Sequence, residues 1–248
     1  MQNDEQKLRE YYEKNGEKNY YDDIYLRKQE RTMRPRFAYK KLFNLIEPVG
    51  QNKKLLDVAC GTGYFLQVAA ERGLETYGLD LSQEAVAVAK RVSPGSNIVT
   101  GYAEALPYES SFFDYVSCLG SLEHFADMEK GTQEMIRVAK SDALFLFILP
   151  NDDYLFWKLK KIKKGTHQRN FEVLKNYPGW LKFLDEAGLE PIKVDQDRWP
   201  SQSLRIFEYK NPYRIARRII FKLIWFFLPL KYTYQFIFVL KKKQLKYI

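Results

Sequence analysis

The run Leu55-Leu56-Asp57-Val58-Ala59-Cys60-Gly61-Thr62-Gly63-Tyr64-Phe65 passes from an apolar stretch through a turn into a helix-like pattern, with glycine at two alternate turn positions. Glycine there takes backbone angles closed to other residues and lets a ligand approach the main chain. A second apolar run, LETYGLD, ends in Asp80, seventeen residues after Gly63. A carboxylate at that point can accept hydrogen bonds from both hydroxyls of a ribose. Leu66 occupies the third glycine position of the dinucleotide fingerprint, and no G-K-[ST] follows. The turn therefore suits a nucleoside-type ligand that is neither NAD, FAD nor a triphosphate.

Acid–base chemistry has few candidates, because the chain holds two histidines. His124 follows Glu123, and His167 lies in G-T-H-Q-R; an imidazole titrates near neutrality and can take a proton from a hydroxyl. Cys60 and Cys118, in apolar surroundings, read as small packing residues. Two His and two Cys, widely scattered, do not make a zinc site.

The elements that must position these residues alternate along the chain. Residues 1–48 read as a polar, Tyr-rich helical cap, closing with a helix over about 36–46 and the breaker Pro48-Val49-Gly50. Strands are predicted at 54–59, 74–80, 97–100, 113–118 and 143–149, with helices at about 64–72, 83–91 and 130–140 between them. The strands are near-continuous apolar runs, as parallel strands covered on both faces are. After Pro150 come the lysine-rich run KLKKIKKGTHQRN, a helix at about 178–187, a strand at about 190–195, a basic apolar segment at 212–230 and a last strand at 232–240. This divides the chain into a cap (1–48), a ligand-binding core (49–150) and a remainder (151–248) that completes the same domain and covers the substrate.

The net charge of +9 is local: residues 198–248 hold twelve basic and one acidic residue, whereas residues 1–150 are net −3. A nucleic-acid partner is not expected from such a distribution. The polar start MQNDEQKLRE and the scarcity of cysteine predict a cytoplasmic protein rather than a secreted disulfide scaffold.

In the ordered set D-V-A-C-G-T-G (57–63), A-E-A-L-P (103–107), S-F-F-D-Y-V (111–116), S-L-E-H-F (121–125) and R-V-A-K (137–140), the sequence resembles the class I S-adenosylmethionine-dependent methyltransferases over about residues 50–150. The resemblance implies an α/β, Rossmann-like, doubly wound seven-stranded sheet. Its last strand would enter antiparallel between the fifth and sixth. The implied cofactor is S-adenosyl-L-methionine. Asp57, Ala59, Cys60, Gly61 and Gly63 would line its methionine end, with Leu119 nearby. Asp80 and Leu81 would hold the ribose, and Ala103 and Glu104 would border the adenine. Ala59 stands where the family usually has its first glycine; an ordinary backbone angle there would accommodate it. Tyr102 replaces the acid that commonly meets the adenine amino group. Ser141-Asp142-Ala143 is read as an altered turn before the fifth strand.

His124 would then sit at the mouth of the site, oriented by Glu123, and His167 in the segment covering the acceptor. The motif boxes of DNA amino-, RNA carbon-5 and protein-arginine methylating enzymes are absent, which leaves a small-molecule, glycan or lipid-linked acceptor, methylated on oxygen. The P-N turn, G-T-H-Q segment and basic tail resemble, more weakly, bacterial cell-surface polysaccharide methyltransferases. A soluble small-metabolite N- or O-methyltransferase, and a non-catalytic cofactor-binding partner subunit, are the alternatives.

At about 100° per residue, Arg214, Arg217, Arg218 and Lys222 fall on one side of a helix over 212–230, with Ile215, Ile219, Leu223, Phe226 and Phe227 on another and Trp225 near the polar side. Lying on the inner face of an anionic membrane, docking on the protein's own sheet and folding over the substrate are all compatible with this segment.

Overall fold

The computed structural model describes residues 21–22, 34–46, 52–155, 158, 173–198 and 212–244. In chain order the elements are α1 (Arg36–Leu45), β1 (Lys54–Val58), α2 (Tyr64–Ala70), β2 (Glu75–Asp80), α3 (Gln83–Val92), β3 (Asn97–Thr100), β4 (Phe113–Leu119), α4 (Met128–Val138), β5 (Ala139–Pro150), α5 (Tyr177–Glu186), β6 (Leu189–Gln196), α6 (Pro212–Phe227) and β7 (Gln235–Lys242). The strands form one sheet in the order β3-β2-β1-β4-β5-β7-β6. The first five pair in parallel, and β7 runs antiparallel to both β5 and β6, as the resemblance implied.

Alternation along β5 shows how the sheet is covered. Phe145, Phe147 and Leu149 join one core with Trp180, Phe183 and Phe236, while Leu146 and Ile148 join the other with Phe43, Phe65 and Leu66. Successive side chains leave opposite faces of a strand, so both faces are apolar and both carry helices. Three helix starts, those of α3, α4 and α5, carry side-chain caps of the residue types that favour them. Ser82 Oγ accepts from Ala85 N at 3.1 Å, Asp127 Oδ1 from Lys130 N at 2.9 Å and Asn176 Oδ1 from Gly179 N at 3.0 Å. Trp180 of α5, fully buried, donates from Nε1 to Pro150 O at 2.7 Å and so fixes the end of β5.

Three departures from the sequence reading have local causes. Strand β5 begins at Ala139, and its pairing with β4 is irregular: Phe113 faces Ala139, but Tyr115 faces Leu144. Two steps along β4 thus match five along β5, so Ser141 and Asp142 lie in a stretch with three extra residues bulged within a long strand, not in a turn before a short one. Strand β7 starts at Gln235 because a 3₁₀ turn occupies Leu230–Tyr232. Trp225, expected near the polar side of its helix, is buried.

Asp114, near the start of β4, ties three elements together. It accepts from Lys53 Nζ (2.8 Å), Lys54 N (2.9 Å) and Lys140 Nζ (2.9 Å). Burial alone would raise its pKa, but these donors outweigh it and bring the carboxyl down to about 2.

Candidate active site

The parallel strands β1, β2, β4 and β5 end on one edge of the sheet. Strand order reverses between β1 and β4, and this is where open α/β sheets bind ligands. The turn after β1 is a run of left-handed residues: Ala59 has φ +57°, Gly61 +52° and Gly63 +76°. Cys60 N donates to Leu79 O at 3.0 Å, and Gly63 N to Cys60 O at 3.0 Å. A Cβ at Gly63 would lie 2.9 Å from Ala89 Cβ, so this glycine also allows α2 to meet α3. A Cβ at Gly78 would lie 2.6 Å from Leu66 Cδ1. The bare backbone of β2 therefore makes room for the leucine that replaces the fingerprint's third glycine.

Ala59 corrects the sequence reading, because its angle is not ordinary. A left-handed conformation costs a non-glycine residue about 1–2 kcal/mol. Ala59→Gly is accordingly expected to raise stability by about 0.5–1 kcal/mol, after the glycine's greater freedom in the unfolded chain is subtracted. Urea unfolding of the two proteins checks this; no gain would mean the turn carries no strain at Ala59.

Two buried carboxyls flank the turn. Asp80 Oδ2 accepts from Gly61 N at 2.8 Å and Oδ1 from Ser82 N at 2.9 Å. Burial raises Asp80 to about 6; the N–H donors of Ser82 and Gly61 resist this, and the nearby charge of Asp22 adds to it. Asp22 itself accepts from Ser82 Oγ at 2.5 Å, so the N-terminal segment reaches the same corner. Asp57 accepts from Ser117 Oγ at 2.6 Å, and burial raises it to about 7 despite that bond. Leu81 and Leu119 lie partly exposed at the ends of β2 and β4. Cys60 and Cys118 are both buried, and burial pushes both thiols well above their ordinary value, as inert packing residues require.

Ala103, in the loop after β3, is buried, and a Cβ at Gly131 of α4 would lie 3.7 Å from its own. Glu104 Oε1 accepts from Asp127 N at 3.2 Å, binding the loop after β3 to the start of α4. Tyr102 is exposed. His124 ends a 3₁₀ turn (Leu122–His124) just past β4, and its Nε2 lies 4.0 Å from Oε1 of the buried Glu123. Glu123 is positioned through its backbone, whose carbonyl accepts from Val173 N at 2.9 Å. His167 lies outside the described residues.

The structure adds a group that the sequence reading missed. Arg34, just before α1, is buried in an ion pair with Asp197, beyond β6, and donates from Nη2 to Gln235 Oε1 at 2.9 Å. Gln235 opens β7 opposite Pro150, on the ligand edge of the sheet, and its Nε2 lies 3.7 Å from where a Cβ of Gly120 would stand. Tyr39 of α1 senses both sides of this corner. Burial raises it to about 12, with Arg34 opposing and Asp57 adding to the rise.

Residues 56–147 match the family described as Methyltransferase domain. An uncharacterized protein of Methanocaldococcus jannaschii is 26% identical over 221 residues, 89% of this chain and 78% of its own length. A ubiquinone biosynthesis O-methyltransferase of Saccharophagus degradans is 33% identical over 153 residues, 56% of this chain; the match spans 64% of that relative, a little under two thirds of it. The solved complex of the Haloferax volcanii Trm112 methyltransferase activator with a methyltransferase superposes with a TM-score of 0.69 at 15% identity, covering 93% of this chain and 99% of that one, a likeness of fold. The domain match falls on the strands and turns that build the site, and the fold is the seven-stranded, Rossmann-like α/β fold of methyltransferases.

Proposed function

We propose that the chain binds S-adenosylmethionine across the β1 and β2 ends and moves its methyl group to an oxygen of a small-molecule, glycan or lipid-linked acceptor. The carrying observation is the Asp80 corner. Its two oxygens each hold one backbone N–H, at 2.8 and 2.9 Å, and each retains capacity for another donor. That pair of acceptors fits a ribose diol, and the left-handed Ala59–Gly63 turn brings main chain rather than side chains toward the ligand. When bound, the cofactor supplies an electrophilic methyl carbon on a sulfonium.

The chain's own residues then have three tasks. Asp80 orients the ribose, with Leu81 beside it, while Ala103 and Glu104 shape the adenine side. Asp57, the Ala59–Gly63 turn and Leu119 bound the methionine side, where buried carboxylates favour a cation. His124 receives the acceptor's hydroxyl proton at its imidazole, and Glu123 stabilises the imidazolium that forms. Methyl transfer is mainly a matter of alignment, so holding the acceptor in line carries most of the acceleration. His167, on the covering segment, is the second candidate for the proton.

The relatives named for ubiquinone biosynthesis favour oxygen as the atom methylated. A cytoplasmic enzyme working at the inner face of a membrane is the matching location. An acceptor screen with isotopically labelled cofactor, read by mass spectrometry, tests the assignment. Label on oxygen is expected. Label on nitrogen or carbon overturns it, and cofactor binding without turnover on any acceptor class would leave a non-catalytic partner subunit.

A further inference from the structure

We propose that the outward face of α6 is a contact surface for an anionic lipid bilayer. The surface stands on its own observations; that it serves a lipid-borne acceptor rests on the methyl-transfer reading above.

Helix α6 is fixed to the body by one side. Trp225, 3% exposed, packs edge-on against Tyr154 with ring centroids 5.7 Å apart. Just beyond the helix Leu228 is buried, and its carbonyl accepts from Gln196 Nε2 at 2.7 Å. On the opposite side Ile219, Ile220, Leu223, Ile224, Phe226 and Phe227 are exposed, Phe227 by 75%. At about 100° per residue these positions form one arc centred away from Trp225. A helix meeting water would turn charged and polar side chains that way. Contiguous apolar surface of this kind marks an interaction site.

Charge identifies the occupant. The guanidinium of Arg198 lies 5.2 Å from the Phe226 ring centroid, and Lys231 Nζ lies 5.5 Å from that of Tyr232 just past the helix. Residues 212–230 contain four arginine or lysine residues and no acidic one. Exposed apolar residues with cations beside them match the acyl boundary and its phosphate headgroups. A second copy of this chain would instead bring its own cations against these, which is repulsive across a two-fold contact. No helix among the described residues is long and apolar enough to cross a membrane, so the contact lies in the plane of the surface.

The placement matters. Asn151, directly after β5, donates from Nδ2 to Lys231 O (2.9 Å) and Thr233 O (2.8 Å). The end of α6 is thereby held on the edge of the sheet that carries Asp80, Leu119 and His124.

Flotation of the full-length chain with vesicles tests the surface. Binding is expected to phosphatidylcholine vesicles containing phosphatidylglycerol and to be at least about tenfold weaker on phosphatidylcholine alone. Raising salt from about 0.1 M to about 0.5 M should weaken it by a similar factor. Leu223→Glu/Phe227→Glu should lose about tenfold or more while keeping the wild-type melting temperature, since both side chains are exposed. If that pair does not fold, Phe227→Ser with a several-fold loss carries the test. Wild type that fails to float, or a folded variant that floats equally well, overturns the proposal. So does a wild-type dimer in sedimentation velocity that the variant dissociates with no vesicle binding by either protein. Neither measurement uses cofactor or acceptor, so failure here leaves the methyl-transfer reading standing, and calorimetric failure to bind cofactor leaves this one.

Discussion

Replacing Asp80 with alanine is expected to weaken S-adenosylmethionine binding by about 100-fold, because on the proposed placement two charge-assisted hydrogen bonds to the ribose would be lost at about 1.5–3 kcal/mol each, less partial compensation by water. The substitution also releases Gly61 N and Ser82 N, the two backbone donors that Asp80 holds in place at the turn. Asp80→Asn keeps the volume and separates charge from shape; about tenfold is expected for it. Titration calorimetry reads both, and wild-type affinity in Asp80→Ala would remove Asp80 from the site.

The pH dependence has a definite sign. Burial raises Asp80 to about 6, so its acceptor form is lost on acidification through that value, and affinity should fall there in wild type but not in Asp80→Asn. Apo-protein stability should move the other way. A folded carboxyl held above its ordinary value near 3.8 contributes stability below that value and loses it as pH rises through the folded pKa. Asp80 and Asp57, at about 6 and about 7, both act in this sense, whereas Asp114, at about 2, is ionised throughout the window. Thermal unfolding between about pH 4 and 7 should therefore show these two carboxyls favouring the acid side while cofactor affinity favours the neutral side. Affinity that is flat across pH 6 would show that the ionised form is not the one that binds.

His124→Asn is expected to lower kcat by about 100- to 1,000-fold, the usual range for removing a positioned general base. The cofactor dissociation constant should not change, since the proposed role of the imidazole is toward the acceptor and not the ribose. Glu123→Gln removes only the charge beside the ring and should cost about tenfold, with the acid limb of the pH–rate profile displaced. Single-turnover kinetics on the acceptor found by labelling distinguish the outcomes. Unaltered kcat in His124→Asn would mean that the acceptor loses its proton elsewhere or arrives ionised.

The strand-turn-helix and the ends of β1 and β2 were legible in the sequence because their determinants are local. Asp57, Gly61, Gly63 and Asp80 lie within two dozen residues, and the strands that carry them advertise themselves as apolar runs. Ala59 was not legible in conformation, since alanine gives no signal for a left-handed angle; only the neighbouring strands impose φ +57° on it. The Arg34, Asp197 and Gln235 group was invisible for another reason. Its members are separated by 163 and 201 positions, and nothing in periodicity links a residue ahead of α1 to the ends of β6 and β7. Helix α6 lies between these cases. Its apolar arc can be computed from spacing, but the side that docks is decided by a single tryptophan meeting Tyr154.

The place of β7 constrains how the polypeptide can fold as it is made. Strands β1 to β5 can associate while translation continues, because each strand after β1 finds one neighbour among residues already synthesised. Strand β6 cannot: its sole partner among the described strands is β7, which follows it in the chain. Until β7 emerges, the nascent sheet ends at an open β5 edge carrying Phe145 and Phe147, and a stop codon ahead of Gln235 would make that state permanent. Such a product should be a substrate for chaperones and proteases rather than a smaller enzyme.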